Sequence, residues 1–275
     1  MNSGASRNAQ ADARQEREHV LRAHVNGVSI AYQEAGAGRP LVCVHGNFAS
    51  KRWFTEQLRS PPPGWRVIAL DLPNFAQSDP SPEPIRVETY AHYLNGFLEK
   101  LVISAPVLLG HSFGGAVVQQ HAADRPAAAA GLVLLASAPP GGLKTPEDRY
   151  PLLESLGRSR ESMEQAIAST MPSRKPDYFV QLVEEALLMD PAAFSGNARA
   201  LERHDLTAAL SSVTCPVLVV RGELDFLIST AAAEETARAF PNAGLENLEG
   251  IGHSPQLEDP DRFNALVSRF LGGLP

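Results

Sequence analysis

Short apolar runs alternate with amphipathic segments along most of the chain. Continuous apolar runs such as "PLVCVHG" and "WRVIALD" are typical of strands that are buried on both faces of a sheet. Segments such as "VETYAHYLNGFLEKLVI" repeat their apolar residues at helical spacing. Because strands and helices alternate, the pattern predicts βαβ units. We therefore expect an α/β fold with a mostly parallel central sheet flanked by helices.

Two departures from this alternation predict a hairpin and a helical insert. The dipeptide Asn26-Gly27 lies between two runs of alternating apolar residues, which is a hairpin signal. Between Pro139 and Leu210 no strand-like run occurs. Pro and Gly separate the helical segments of this stretch, "PEDRYPLLESLG", "SRESMEQAIASTM", "PDYFVQLVEEALLM" and "PAAFSGNARALERH". The alternation resumes with "CPVLVVRGELD".

These patterns divide the chain into a tail, a core and an insert. Residues 1–18 are polar, and we expect them to form a disordered tail. Residues 19–138 and 211–275 should form one α/β core, interrupted after its sixth strand by an all-helical insert at 139–210. A chain of 275 residues is long enough to bury a sizeable hydrophobic core.

Composition and charge narrow the classes of function. The formal net charge is −7, and no dense cluster of Lys and Arg occurs, which disfavours nucleic acid as the main partner. The first twenty residues lack the apolar region of a signal peptide, and no apolar run approaches membrane-spanning length. We therefore expect a cytoplasmic protein with neither a nucleic-acid nor a membrane partner.

The two cysteines are too few for a disulfide framework or a zinc site. Cys43 and Cys215 each lie in an apolar run, and we expect both to be small buried hydrophobes in strands.

A pentapeptide with small residues at both ends follows a predicted strand and precedes a predicted helix. Gly110, Ser112 and Gly114 form G-x-S-x-G, a motif that requires this strand-turn-helix context. A sharp turn would expose the Ser112 hydroxyl as a nucleophile and aim the backbone N–H of Phe113 at a developing oxyanion. The alternative is a plain turn whose serine caps the helix. His111 should point away from Ser112 and serve as a structural or pocket-lining residue.

A serine nucleophile needs an adjacent base that a third group orients. His253 lies in "EGIGHSPQLEDP", a Gly-rich loop between the last predicted strand and the last helix. This loop and the Ser112 turn should leave the sheet at the same carboxyl edge, where ligands bind in open α/β sheets. We therefore predict that His253 is the base, a solvated loop histidine being the alternative.

The third group should come from another loop at that edge. The strand in "CPVLVVRGELDFLIS" ends near Gly222, and both Glu223 and Asp225 follow it. We favour Asp225, because the longer side chain of Glu223 lies at a different phase of the turn. The order Ser112, Asp225, His253 matches the order of one class of serine hydrolases.

With these motifs the chain resembles the α/β-hydrolase family over nearly everything after residue 20. "VHGNFAS" is similar to the family's His-Gly-x loop, and the resemblance implies that the N–H of Asn47 joins that of Phe113 in an oxyanion hole. "DLPNFAQSDPS" is similar to the family's Asp-x-x-Gly-x-Gly-x-Ser segment, but Asn74 and Ala76 replace the glycines. Here Asp71 is expected to stabilise a turn rather than to catalyse.

The resemblance implies a cap at 139–210 and acyl transfer to water through an acyl-serine, with no metal and no organic cofactor. The apolar residues of the cap favour a moderately apolar small-molecule ester or lactone. The nucleophile Ser112 excludes the dehalogenases and epoxide hydrolases of this family, which use Asp. Cofactor-free perhydrolases or haloperoxidases, C–C bond hydrolases and a non-catalytic receptor remain alternatives. We expect a monomer or a homodimer.

Overall fold

One eight-stranded sheet runs through the protein, in the order β1-β2-β4-β3-β5-β6-β7-β8. The computed structural model describes residues 20–275, so the predicted tail at 1–18 lies outside the described residues. β2 is antiparallel to β1 and to β4, and all other neighbours are parallel, which confirms the predicted α/β fold. The strands are β1 (Leu21–Val25), β2 (Val28–Gly36), β3 (Arg39–Val44), β4 (Trp65–Leu70), β5 (Val107–His111), β6 (Gly131–Leu135), β7 (Val217–Gly222) and β8 (Ala243–Leu248).

Helices cover both faces of this sheet. Successive strand residues point to opposite faces, so Leu108 joins one apolar core while Leu109 joins the other. The continuous apolar runs of the sequence follow from this two-sided burial. The α-helices are α1 (Thr55–Arg59), α2 (Val87–Lys100), α3 (Phe113–Asp124), α4 (Tyr150–Leu156), α5 (Arg160–Ser169), α6 (Phe179–Ala186), α7 (Ala193–Glu202), α8 (Thr230–Ala239), α9 (Pro255–Glu258) and α10 (Pro260–Gly272).

The predicted hairpin is confirmed in the first two strands. β1 and β2 pair from Leu21 opposite Tyr32 to Val25 opposite Val28. The turn residues Asn26 and Gly27 both have positive φ, 49° and 82°. A two-residue turn of this kind matches the natural twist of the strands.

The stretch between β6 and β7 is helical throughout its regular structure in the described chain. It contains α4 to α7 and the short 3₁₀ helices Glu147–Arg149 and Leu210–Ser212. The helices are shorter than the segments of the sequence pattern; at α5, Ser159 caps the helix from outside it, so that the helix begins at Arg160.

One cysteine departs from the expectation. Cys43 is buried within β3, but Cys215 is half-buried and precedes β7. The prediction for Cys215 was wrong because Pro216 has no N–H to donate to a ladder, so that the strand starts only at Val217.

A buried ion pair joins the 3₁₀ helix Lys51–Phe54, which follows β3, to the loop that follows β4. Lys51 Nζ lies 2.8 Å from Asp71 Oδ2, and the two side chains are 2% and 0% exposed. Asp71 also accepts the N–H groups of Lys51 at 2.7 Å and Gln77 at 3.2 Å. Asn74 and Ala76 have φ values of 73° and 43° in this turn, so two non-glycine residues adopt the left-handed backbone there.

We expect Lys51→Met to lower the free energy of unfolding by about 3–5 kcal/mol, because it leaves the Asp71 carboxylate buried and unpaired. Urea denaturation measures this. The double variant Lys51→Met/Asp71→Asn should be more stable than Lys51→Met alone. Arg269→Met, which breaks an exposed pair with Glu246, is the control and should cost less than about 1 kcal/mol. An unchanged free energy of unfolding in Lys51→Met would contradict the stabilising role of the ion pair.

Candidate active site

Ser112 lies on a sharp turn between β5 and α3. Its backbone has φ 52° and ψ −114°, which L-residues rarely adopt. Close packing maintains the turn. A Cβ added at Gly114 would lie 2.3 Å from the carbonyl oxygen of Val44, and one added at Gly110 would lie 2.5 Å from that of Gly114. The G-x-S-x-G spacing therefore has a steric cause, and Ser112, the N-cap residue of α3, makes no side-chain cap hydrogen bond.

Asp225 and His253 form a buried hydrogen-bonded pair. His253 Nδ1 lies 2.8 Å from Asp225 Oδ2, and both side chains are almost inaccessible to water. The other oxygen, Asp225 Oδ1, accepts the N–H groups of Leu227 at 2.9 Å and Ile228 at 3.0 Å. Burial alone would raise the pKa of Asp225, but the hydrogen bond and charge of His253 and the two amides outweigh it. The pKa of Asp225 is therefore below its ordinary value.

The competing carboxylate, Glu223, points elsewhere. It is exposed, and its Oε2 accepts the N–H of Gly250 at 2.9 Å. The Asp225 turn has its own support in the buried guanidinium of Arg221, which donates to the carbonyl oxygens of Asp225 at 3.1 Å and Ile228 at 2.7 Å. The sequence pattern gave no sign of this role for Arg221, because an arginine at the end of a strand is usually solvated.

A buried carboxylate supports the His253 loop. Glu258 Oε1 accepts the N–H groups of Gly252 at 2.9 Å and Ser254 at 3.2 Å, which flank His253. Glu258 Oε2 accepts the N–H and the hydroxyl of Ser173, in the loop between α5 and α6, at 3.0 and 2.6 Å. Sequence reasoning missed Glu258. Its position just after a helix start was the available signal, since carboxylates there often bind free backbone N–H groups.

His111 supports the His253 loop from the opposite side. Its Nε2 donates to the carbonyl oxygen of His253 at 2.9 Å, and its ring stacks on Trp53 with centroids 5.4 Å apart. Burial lowers the pKa of His111 to about 3, so its ring is neutral at ordinary pH. The structure thus places His111 beside the Ser112 turn as a structural residue that also lines the cavity.

Four of the five predicted site residues line one cavity of about 510 Å³. Asn47, Ser112, Phe113 and His253 line it, and Asp225 lies behind His253. Ser112 and His253 face this space without a hydrogen bond between them in the described part of the chain. Such contacts are often long until a substrate binds.

The loop that carries Asn47 depends on a neutral histidine. His45 Nδ1 donates to the carbonyl oxygen of Gly46 at 2.8 Å, and its Nε2 accepts the N–H of Leu72 at 3.0 Å. Only the neutral ring can do both. Burial lowers the pKa of His45 to about 4, consistent with this arrangement.

Two side chains from the helical segment reach this loop, and neither was predicted. Asn197 Nδ2 in α7 donates to Asn47 Oδ1 at 2.9 Å. Glu185 in α6 accepts from the hydroxyl of Ser50 and from Arg52 Nε, the latter at 2.8 Å. Single polar residues on an amphipathic helix have no periodic signature, so the pattern could not separate them from solvated positions.

Among residues 20–275, no three His, Cys, Asp or Glu side chains cluster closely enough to hold a metal ion. In the same range, no helix has the length and apolar character needed to cross a bilayer.

The sequence of this chain matches those of known proteins over most of its length. Residues 41–266 match the profile of the Alpha/beta hydrolase family. A 2-hydroxy-6-oxononadienedioate/2-hydroxy-6-oxononatrienedioate hydrolase from Pseudomonas sp is 27% identical over 268 residues, which cover 92% of this chain and 94% of that protein.

Solved structures share the fold over almost their whole length. An esterase from Exiguobacterium antarcticum superposes with a TM-score of 0.82 at 20% identity, covering 92% of this chain and 99% of its own. The enol-lactonase from Burkholderia xenovorans LB400 superposes with a TM-score of 0.81 at 20% identity, covering 92% of this chain and 100% of its own.

We expect protonation of His45 to weaken the fold in acid. The pKa of this residue is about 4 in the folded chain and near 6.5 when unfolded, so the unfolded state binds the proton first. This histidine should therefore contribute a loss on the order of 1–2 kcal/mol in unfolding free energy between about pH 7 and about pH 5.

The measurement is urea denaturation at both pH values. The variant His45→Gln can still donate one hydrogen bond and accept one. Its unfolding free energy should fall less than that of wild type between the two pH values, by the loss assigned to His45, even if it is less stable at neutral pH. An unchanged slope would contradict the assignment of His45 as a buried neutral ring.

Proposed function

Because this chain belongs to the alpha/beta hydrolase family, we propose that it is a serine hydrolase acting on a carboxylic ester or lactone of a moderately apolar small molecule. One observation carries the proposal. The buried Asp225–His253 hydrogen bond of 2.8 Å lies beside the cavity into which the strained turn projects Ser112. A serine, a histidine and a carboxylate in this relation form the general device for nucleophilic acyl transfer.

In the first half of the proposed reaction, His253 Nε2 removes the proton of Ser112 as Oγ attacks the substrate carbonyl. Asp225 keeps the imidazole in the required tautomer and stabilises its charged form. The low pKa of Asp225 supports this role, because the carboxylate stays ionised. The N–H groups of Asn47 and Phe113 stabilise the oxyanion, each donor contributing roughly 3–4 kcal/mol.

The first half ends when His253 protonates the leaving oxygen: an ester releases its alcohol, a lactone keeps the new hydroxyl on its acyl chain, and both leave an acyl-Ser112. Water then attacks the acyl carbonyl while His253 accepts its proton. Collapse of this second tetrahedral intermediate releases the acid and returns the proton to Ser112. The same residues serve both halves, so the reaction needs only water as a second substrate.

We propose that the helical segment at 139–210 is a cap that shapes the substrate pocket. Leu143, Leu152, Leu153 and Leu201 of this segment line the cavity together with Ser112. An apolar wall favours apolar groups on the substrate by the hydrophobic effect. The volume of about 510 Å³ is in the range of small-molecule sites.

A second candidate is C–C bond hydrolysis with the same residues. The name of the relative from Pseudomonas, a hydrolase of 2-hydroxy-6-oxo dienedioates, favours it. Strong activity on a vinylogous diketone with weak activity on simple esters would select this candidate. The cytoplasmic location and the oligomeric state stay predictions from the sequence.

We expect Ser112→Ala to abolish hydrolysis of a panel of p-nitrophenyl esters and lactones of increasing acyl length, because no other group can form the acyl intermediate. Steady-state rates with wild type and variant measure this. Gly272→Ala, at the end of α10 where a methyl group meets no atom within 4 Å, is the control for substitution itself. Full activity in Ser112→Ala would refute the mechanism.

The carboxylate can be assigned by comparing two isosteric variants. Asp225→Asn should lower kcat by about 10⁴-fold, because an amide holds the imidazole in the wrong tautomer. Glu223→Gln should change kcat by less than about threefold, since its carboxylate only supports Gly250. The reverse pattern in kcat would move the catalytic acid to Glu223.

A further inference from the structure

The charged side chains that line the Ser112 cavity are all cationic in the described part of the chain. Among the described residues of its wall there is no Asp or Glu, whereas Lys144 and Arg149 both contribute to it. The whole chain carries a net charge of −7, so the positive charge of this cavity lining is opposite in sign to the net charge of the chain. Fields inside a cleft follow its own lining more than the distant net charge.

Neither cation has an ion-pair partner among residues 20–275. The neighbouring Glu147 is engaged with Arg199 at 3.5 Å, and Asp148 does not line the cavity. Lys144 and Arg149 are both exposed, so their charged groups are available to a ligand at the mouth. They lie on one short segment that precedes α4.

This segment is tied to the helical region by backbone contacts. The N–H of Leu143 donates to the carbonyl oxygen of Leu201 in α7 at 3.1 Å, and the N–H of Arg149 donates to that of Pro146 at 2.9 Å. The backbone next to Lys144 is therefore held to α7, and the backbone of Arg149 closes a local turn.

An apolar annex adjoins the same space. A second cavity of about 220 Å³ shares Asn47, Phe48 and Trp53 with the first, and α4 and α5 close it with Leu156, Ala166 and Ile167. No charged residue lines this annex in the described chain. An alkyl or aryl group would be stabilised there, while a charged group would lose its hydration without a partner.

We propose that the substrate is an amphiphilic anion, in which a carboxylate distant from the scissile bond is recognised by Lys144 and Arg149. The reacting carbonyl lies at Ser112 and an apolar portion occupies the annex. A carboxylate suits this pair, since a guanidinium binds both of its oxygens and an ammonium adds a point charge. This inference rests on the proposed function, because it names the substrate class of the same site.

The first experiment compares two esters of equal acyl length, p-nitrophenyl hexanoate and mono-p-nitrophenyl adipate. The ratio of their kcat/KM values isolates the distal carboxylate. The double variant Lys144→Gln/Arg149→Gln should lower the adipate-to-hexanoate ratio by about tenfold, with hexanoate changed less than about twofold. In wild type the ratio should also fall in about 0.5 M NaCl, since salt screens exposed charges.

The matched control is Arg158→Gln/Arg174→Gln. It removes the same net charge from exposed positions of the helical segment that do not line the Ser112 cavity. Its adipate-to-hexanoate ratio should equal that of wild type. An equal fall in both double variants would show a general effect of net charge and would overturn the subsite.

The second experiment measures binding without turnover. Calorimetric titration of Ser112→Ala compares monomethyl adipate, an anion, with dimethyl adipate, its neutral counterpart. The anion should bind about tenfold more tightly, and this preference should vanish when Lys144→Gln and Arg149→Gln are added. Equal affinities, or a preference that survives both substitutions, would overturn the inference.

The two experiments separate the two proposals. One outcome is that wild type cleaves both esters only through Ser112, with an adipate-to-hexanoate ratio that Lys144→Gln/Arg149→Gln does not change. In that case the inference fails, and the proposal of a serine hydrolase is retained. If neither ester is cleaved through Ser112, the proposed function fails, and the calorimetric comparison still decides whether the cavity selects anions.

Discussion

The hydrogen bond between Asp225 and His253 joins two loops that follow neighbouring strands, β7 and β8, at one edge of the sheet. It is buried, and in such surroundings a hydrogen bond to a charged group is stronger than in water while an unpaired partner is more costly. Both loops therefore need independent support. Arg221 supplies it under the Asp225 turn, and Glu258 supplies it around His253.

The nucleophile depends on a different constraint, the close approach of backbones at the Ser112 turn. Glycines allow β3, β5 and α3 to meet at distances that a single methyl group would prevent. The helical segment then contacts both halves of the site. It reaches the Asn47 loop through Asn197, and the His253 loop through the carbonyl oxygen of Thr170, which accepts the His253 N–H at 3.1 Å. A movement of this segment would therefore strain or break hydrogen bonds to both loops.

Local patterns were sufficient to predict the strands, the hairpin at Asn26-Gly27 and the turn at Ser112, because burial on two faces and steric demands act on neighbouring residues. The prediction failed where a local exception intervened, as at Cys215 beside Pro216. The turn at 71–78 shows another limit of local patterns, since Ala76, which disfavours left-handed backbone, adopts it beside Gln77, whose N–H donates to the buried Asp71.

The supporting contacts could not be predicted, because they join residues far apart in the sequence. Asn197 contacts Asn47 across 150 positions, and Ser173 contacts Glu258 across 85. Each is a single polar residue within an ordinary helix or loop, so neither periodicity nor composition distinguishes it. Only the folded arrangement of β-strand loops and helices brings these partners together.

Covalent labelling tests the central claim most directly, that Asp225 and His253 activate Ser112. A fluorophosphonate probe should form one adduct with the folded wild-type protein, and peptide mass spectrometry should locate it on Ser112. Replacing His253 with Ala should slow this labelling by about 10³-fold or more, because the hydroxyl loses its base. Labelling of another residue, or an unchanged rate in His253→Ala, would contradict the account.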